Sequence, residues 1–418
     1  MTERARNVLL LGADYGLFLV GLAFASQATI LPAFAAWLGA PNVVIGAIPA
    51  VMTLGWFLPS LFAAGHTETL PRQWPFLMRW TGWERAPYLV MALLAFFVAD
   101  RAPGLTLIVL LAMLLVSTGI GGLLMPSWMD LIGRAVPTAT RGRFFALASL
   151  AAGVVGFGAS FVVAAVLARV PAPASYGLCF LAASACLGLS WIALAFVREP
   201  DGRPVRAAVP LRAYLARVPG LLRRDRNLSR FLAARAFAIA GVMGSGFYTV
   251  YALRAWEAPP AQAGVFTALL VVGHALGTLT LGWVADHAGH RLVLLAGASA
   301  TVAANVVALL AGSLGVFEAV FVLAGVHTAA VNVSALNVLL EFSPTQDERP
   351  TYIGLGSTAM APVAFATPLI GGLMADALGF RVVFVTALLA SLVGLLLLAA
   401  LVHDPRRIVT RPAEEAAA

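Results

Sequence analysis

"RAVPTATRGRFFA", residues 134–146, sets three arginines around a Pro-Thr turn in a chain that is apolar for long distances on either side. "LEFSPTQDERPTYIG", residues 340–354, repeats the order: an apolar run ends, a Pro-Thr turn follows, then charge, then another apolar run. An offset of 207 residues lays Pro137-Thr138 on Pro344-Thr345 and Arg141 on Glu348, with Arg349 adjacent. The runs that follow stay parallel until "REP" at 198 meets "HDP" at 403. Equal lengths with equal punctuation predict two like halves.

The medium in which those halves fold follows from composition. Of 418 residues, 61% are hydrophobic and 11% charged, where soluble domains carry about 25% charged residues. Each crossing of the hydrocarbon takes about 20 mostly apolar residues, so after loops the chain has room for about a dozen. Apolar runs and their Gly, Pro and charge punctuation place spans near 8–37, 42–64, 86–100, 104–132, 144–169, 174–197, 229–253, 261–285, 291–312, 315–341, 351–376 and 380–402. The third is short. The predicted fold class is all-α: a polytopic membrane protein of twelve transmembrane helices in two pseudo-symmetric six-helix bundles.

All 27 basic residues are arginine. Nucleic acid is not the expected partner, because these charges lie in short loops between apolar runs rather than on one solvated face. Basic residues in short loops stay cytoplasmic. With both termini inside, inner segments hold 22 arginines, outer loops hold four (Arg101, Arg169, Arg254, Arg381), and Arg235 falls within a span. That bias predicts a bacterial cytoplasmic (inner) membrane protein with both termini in the cytoplasm. No cleavable signal peptide is expected, since the first apolar run is longer than a signal core. Cys179 and Cys186 share one apolar run without metal-ligand companions, and read as packing.

One long polar segment, residues 198–230, interleaves nine arginines with Leu, Val and Ala. It either lies on an anionic inner leaflet or is a solvated connector. The expected domains are an N-terminal bundle over 1–197, a cytoplasmic linker over 198–228, a C-terminal bundle over 229–404 and a cytoplasmic tail over 405–418.

"GWVADHAGHRLVLL", 282–295, between spans eight and nine, resembles the cytoplasmic Gly-x-x-x-Asp-x-x-Gly-x-Arg signature of the major facilitator superfamily through Gly282, Asp286, Gly289 and Arg291. The eleventh span's "TPLIGGLMADALGF", 367–380, is similar to that superfamily as well. The resemblance implies two bundles that rock about a central site and expose it alternately to each side. There are departures. The first-half loop lacks the signature and offers Glu68 and Arg72; span four has Gly119 and Gly121 where proton-driven drug exporters carry Arg and Gln; and span five lacks their Gly-Pro core.

The resemblance also implies that span eight packs near span five, and span two near span eleven. Asp286 would then face Arg141 and Arg143, whose charge opposes the dipole at a helix start, and Glu68 would face Arg349. With Arg291, these six residues are the expected gate: ion pairs tying the bundles together on the inner side. The plainer reading is that the arginines only obey the positive-inside rule. Exposed pairs contribute about 0–1 kcal/mol each, enough to bias a two-state equilibrium.

Ionisable groups inside spans are expensive and are functional candidates. His327 lies near the middle of span ten and His274 near the middle of span eight, the depth at which such transporters bind substrate. By helical spacing His327, Val331 and Ser334 share one face, and Thr328 and Asn332 the next. Gln27, Tyr248 and Tyr251 complete the expected polar lining; for each histidine the alternative is a hydrogen-bonded packing role. Asp14 and Arg235 lie at matching places in spans one and seven; they pair with each other, or Arg235 contacts substrate, or both snorkel to the interface.

No nucleophile elbow, metal-spaced cluster or phosphate loop appears, so neither an enzyme nor an ATP-driven pump is expected, and no cofactor or metal. The expected function is secondary active transport of a small organic solute by alternating access, with protons as a candidate coupling ion and export preferred on the sparse polar lining. Membrane lipids are expected partners and the chain is expected to act as a monomer. Two alternatives stand beside it: a non-transporting receptor or assembly factor on the same fold, and a lipid or lysolipid flippase.

Overall fold

A computed structural model describes residues 2–67, 70–199, 220–343 and 349–404. The apolar runs form helices throughout, because backbone N–H and C=O groups in hydrocarbon have no partner but each other. We number the crossing helices in chain order. The first six are α1 (Glu3–Phe24, continued by Ile30–Trp37), α2 (Asn42–Thr67), α3 (Trp74–Phe97), α4 (Pro103–Ala135), α5 (Thr138–Arg169) and α6 (Ala174–Ala195). The second six are α7 (Arg226–Gly241, continued through a 3₁₀ turn Met243–Phe247 to Tyr248–Ala255), α8 (Gln262–Ala288), α9 (His290–Leu310), α10 (Ala319–Ser334, flanked by Leu314–Phe317 and Asn337–Phe342), α11 (Ala361–Leu378, preceded by Arg349–Thr358) and α12 (Phe380–Ala400). Side chains as large as Leu150, Val154, Leu389 and Leu396 stand exposed on outer helix faces, as expected where lipid is the solvent.

Eleven helical segments among the described residues are long and apolar enough to cross a membrane. The twelfth is α3, whose 24 residues suffice in length but carry Arg79, Glu84 and Arg85 in the first half. The span expected at 86–100 therefore begins earlier, at Trp74. Arg85, assigned to an inner loop on sequence, lies inside the helix and is buried.

The chain divides into two compact units, Met1–Leu211 with Leu253–Ala268, and Arg212–Ala252 with Leu269–Ala418. In the first, α1 packs on α5 and α6, and α4 on α2 and α3, around Leu11, Leu77, Leu131, Ile132, Phe144 and Leu194. It includes the start of α8, where the Thr29 and Thr267 hydroxyls are 2.6 Å apart and buried. In the second, α9 packs on α10 and α12, and α12 on α7, around Leu228, Phe231, Val338, Leu339 and Tyr352.

The halves repeat in bonds as well as in order. In the first, the Asn7 amide of α1 donates to Arg198 O at 2.7 Å, and Arg198 N donates back to Asn7 Oδ1 at 3.2 Å. In the second, Asn227 of α7 donates to His403 O at 2.9 Å and accepts from His403 N at 2.9 Å. Each half thus fastens its first helix to the residue after its last by one asparagine, satisfying backbone groups that a helix end leaves open. The first helices break at equivalent places too, α1 between Phe24 and Ile30, α7 at Met243–Phe247. Broken helices at matching positions of a duplicated membrane protein mark the substrate region.

Candidate functional site

A buried charge cluster occupies the middle of the first six helices. Asp14 of α1, Glu84 and Arg85 of α3, Trp128 of α4 and Ser190 of α6 converge there. Arg85 Nη2 donates to Asp14 Oδ1 at 2.9 Å and Arg85 Nη1 to Glu84 Oε2 at 3.0 Å. Asp14 accepts two further bonds, from Ser190 Oγ at 2.6 Å and Trp128 Nε1 at 2.9 Å. Glu84 Oε2 accepts from Thr81 Oγ1 at 3.3 Å, and the guanidinium lies over the Phe18 ring at 5.6 Å. Exposure is 2% for Asp14, 8% for Glu84 and 6% for Arg85, so water screens little of this charge.

The small residues of α4 make room for it. A Cβ on Gly121 would lie 2.8 Å from Glu84 Oε1 and 3.0 Å from the Trp56 ring, and one on Gly122 would lie 2.5 Å from Trp56 O. Of the two glycines that the sequence singles out in span four, Gly121 therefore admits a carboxylate, whereas Gly119 meets only Pro59, at 4.0 Å.

Asp14 does not pair with Arg235; its partner is Arg85. Sequence reading missed Glu84 and Arg85 because a third apolar run over 86–100 begins after them, and Trp128 and Ser190, within spans four and six, because neither carries a charge that would mark it. Length was the signal available: residues 86–100 are too few to cross, and extending that run toward its N-terminus draws Glu84 and Arg85 into the membrane.

In the second unit, glycines bring α8 and α10 together. A Cβ on Gly277 would lie 2.8 Å from Ala329 Cβ, and one on Gly325 would meet Leu270 O and lie 2.6 Å from His274 N. Close helix approach through small residues is the usual membrane solution. It sets the Asn332 amide 3.1 Å from His274 Nε2, and with an amide donor that nitrogen accepts. Asn332 and Thr328 are exposed on α10, with His274 half-buried beside them.

His327 points the other way, with Nδ1 at 2.8 Å from Thr301 Oγ1 and 3.1 Å from Gly297 O, fastening α10 to α9. Ser334, placed on its face, is buried and bonded to His290 Nδ1 at 3.0 Å. Tyr248 is 2% exposed, donates to Asn305 Oδ1 at 3.0 Å and packs edge-on to Phe317 and Phe321. Tyr251 packs among Phe317, Phe380 and Phe384. Gln27 is exposed in the break of α1. Arg235 is half-buried, and its Nη1 has no hydrogen-bond partner among the described residues.

Of the expected gate, Asp286 is exposed at the end of α8 and Arg143 exposed at the start of α5. Arg141 Nη2 donates to Gly133 O at 2.9 Å and Val136 O at 3.4 Å. Arg291 Nη2 donates to Ala399 O at 2.7 Å and Leu398 O at 3.2 Å, a cation at the C-terminal end of α12 where the dipole favours it. Glu68, the side chain of Arg349, most of the linker and the tail from 405 lie outside the described residues. Among the described residues no group of three His, Cys, Asp or Glu could hold a metal.

Residues 236–418 match the family model described as Major Facilitator Superfamily. No curated protein sequence matches the chain. Among solved structures, a bacterial homologue of the iron transporter ferroportin, in an inward-facing state, is similar at TM-score 0.72 and 16% identity, covering 96% of this chain and 98% of its own. The nucleoside transporter NupG is similar at TM-score 0.69 and 13% identity, covering 94% and 99%. A D-xylose–proton symporter is similar at TM-score 0.67 and 13% identity, covering 95% and 98%. Over its second half the chain thus matches the Major Facilitator Superfamily model, and over nearly its whole length its fold is similar to that of these transporters.

Proposed function

We propose that the protein is a secondary transporter that moves a small organic solute by alternating access, with the Asp14–Arg85–Glu84 cluster as the element that responds to protons. The observation that carries this reading is the charge count of the cluster. Two carboxylates share one guanidinium, so with both acids ionised the group holds one negative charge inside the bilayer. A proton on either acid brings it to neutrality. Charge at that depth is costly and is retained at functional sites, and a cluster joining α1, α3, α4 and α6 passes any change to four helices at once.

In this reading the solute contacts of the second half, taken by itself, are Asn332, His274 and Arg235, and the first half, taken by itself, offers Gln27 in the break of α1; His327, Tyr248 and Tyr251 hold helices together. The set offers amide, imidazole and one cation, which suits a polar solute. A fold shared with a nucleoside transporter and a sugar–proton symporter is in keeping with that class. The arginine bias supports termini on the cytoplasmic side of a bacterial inner membrane, and the sparse polar set favours export. No catalytic role is proposed.

Flux into proteoliposomes tests it, using a panel of nucleosides, sugars and organic acids with and without an imposed pH gradient. The expected result is gradient-dependent movement of at least one solute in wild type. Asp14→Asn loses the gradient dependence while solute exchange without a gradient continues. Gradient-dependent flux at the wild-type rate in both Asp14→Asn and Glu84→Gln would refute the role of the cluster.

A further inference from the structure

On the face that carries the N-terminus, the first unit holds a cavity of about 520 Å³ between the ends of three helices, lined by Arg6 of α1, Arg72 and Trp74 at the start of α3, and Phe196, Arg198 and Glu199 after α6. Its one acid is already committed. Glu199 Oε1 accepts from Gln73 N at 2.8 Å and Arg134 Nη1 at 3.2 Å, and Oε2 accepts from Trp74 N at 3.0 Å. The three arginines of the lining are less satisfied. Arg6 Nε and Nη2 are buried without a hydrogen-bond partner among the described residues, and Nη2 makes one long ion pair, 3.7 Å, to Glu3 Oε1. Arg198 donates to Glu3, which is itself 61% exposed, at 3.4 Å. Arg72 makes no ion pair among the described residues.

Around these cations the wall is apolar and aromatic. Phe196 is 67% exposed, and Trp74 is half-buried with its indole donating to Leu194 O at 3.2 Å. Aromatic side chains at span ends sit at the headgroup level of a bilayer. Guanidinium groups bind phosphate through paired N–H donors. A cationic pocket with an apolar rim, at the ends of membrane helices, suits an amphiphilic anion better than a free one.

We propose that this cavity is a binding site for an anionic phospholipid, with the phosphate held by Arg6, Arg72 and Arg198 and an acyl chain lying along Phe196. The site belongs to the first unit alone and is separate from the buried Asp14 cluster, so it stands whether or not the transport reading does.

The test uses the full chain purified in detergent, with dioleoyl-phosphatidylglycerol and dioleoyl-phosphatidylethanolamine as probes. Retained lipid is counted by native mass spectrometry, and thermal stabilisation is measured in parallel. Wild type is expected to retain and be stabilised by the glycerol lipid in preference to the ethanolamine lipid. Each arginine changed to Gln lowers that preference by about fivefold, and the triple variant R6Q/R72Q/R198Q loses it. Should the triple variant fold poorly, the exposed Arg72→Gln alone carries the fivefold comparison. Arg101→Gln, an exposed arginine in the loop before α4, is the control and leaves the preference unchanged. Equal retention of the two lipids by wild type, or undiminished preference in Arg72→Gln and the triple variant, overturns the proposal. Displacement of the lipid by millimolar glycerol 3-phosphate also overturns it, showing a site for a free phosphate.

Discussion

Arg85 of α3 holds Asp14 of α1 at 2.9 Å and Glu84 at 3.0 Å, the single cation for two buried carboxylates. Removing one partner of a buried pair leaves an uncompensated charge, typically at a cost of about 3–5 kcal/mol. Arg85→Gln strands two acids. Asp14→Asn strands no charge, because Arg85 keeps Glu84 and the amide oxygen can still accept from Ser190; only the Trp128 N–H, which donates to the other oxygen of Asp14, loses its acceptor. Thermal unfolding in detergent should rank Arg85→Gln well below Asp14→Asn in stability; the reverse order would mean that the guanidinium is not what holds these helices.

Gly121 faces Glu84, and a Cβ there would lie 2.8 Å from Oε1. Gly121→Ala must therefore push the carboxylate off Arg85 or push Trp56 aside, an overpacking cost of about 1–3 kcal/mol. The cost should shrink when Glu84 is already Ala, because the side chain that collides is gone. A double-mutant cycle on unfolding free energy measures this coupling. A coupling of zero would locate the collision at Trp56 instead.

The repeat visible at the two Pro-Thr turns has a physical counterpart in residues far from them. Asn7 with Arg198 and Asn227 with His403 make the same closure in each half, and the alignment of "REP" with "HDP" located one end of both. Twelve apolar runs were readable because a helix in lipid must satisfy its own backbone, which ties length to composition. The buried cluster was not readable, because its partners lie 71 and 176 positions from Asp14 along the chain and only packing unites them. Polarity also misled: α3 carries the charge that matters, and hydropathy alone discards such a helix. The two histidines looked alike on periodicity, and what separates them is which neighbour each faces, His327 toward α9 and His274 toward an exposed stripe.

Glycines on α8 and α10 divide into those that touch and one that does not. A Cβ on Gly277 would lie 2.8 Å from Ala329 Cβ, and one on Gly325 2.6 Å from His274 N, whereas one on Gly282 would meet nothing within 4 Å. Gly277→Val and Gly325→Val should each cost about 1–3 kcal/mol by forcing the helices apart. Gly282→Ala should be neutral or stabilising by up to about 1 kcal/mol, since alanine favours the helix. Melting temperatures of the three variants check the contrast. A destabilised Gly282→Ala would show that this signature glycine is needed for something besides helix packing.

His274 and His327 offer the sharpest separation of binding from packing. Asn332 is exposed and its amide reaches His274 Nε2 at 3.1 Å, so Asn332→Ala removes a surface group and should change stability by no more than about 0.5 kcal/mol. If the pair contacts solute, the same change weakens binding by about tenfold, or roughly 1.4 kcal/mol. His327→Ala does the opposite: it removes the link from α10 to Thr301 and Gly297 of α9 and leaves a void between helices, at about 2 kcal/mol or more. Its effect on solute affinity should be small once measured well below its melting temperature. Both quantities come from one thermal-shift titration, run with whichever solute moves in the flux panel. Were His327→Ala to spare stability and abolish binding, the imidazole that packs against α9 would be the ligand, and the polar face assigned to solute would have to move from Asn332 to the other side of α10.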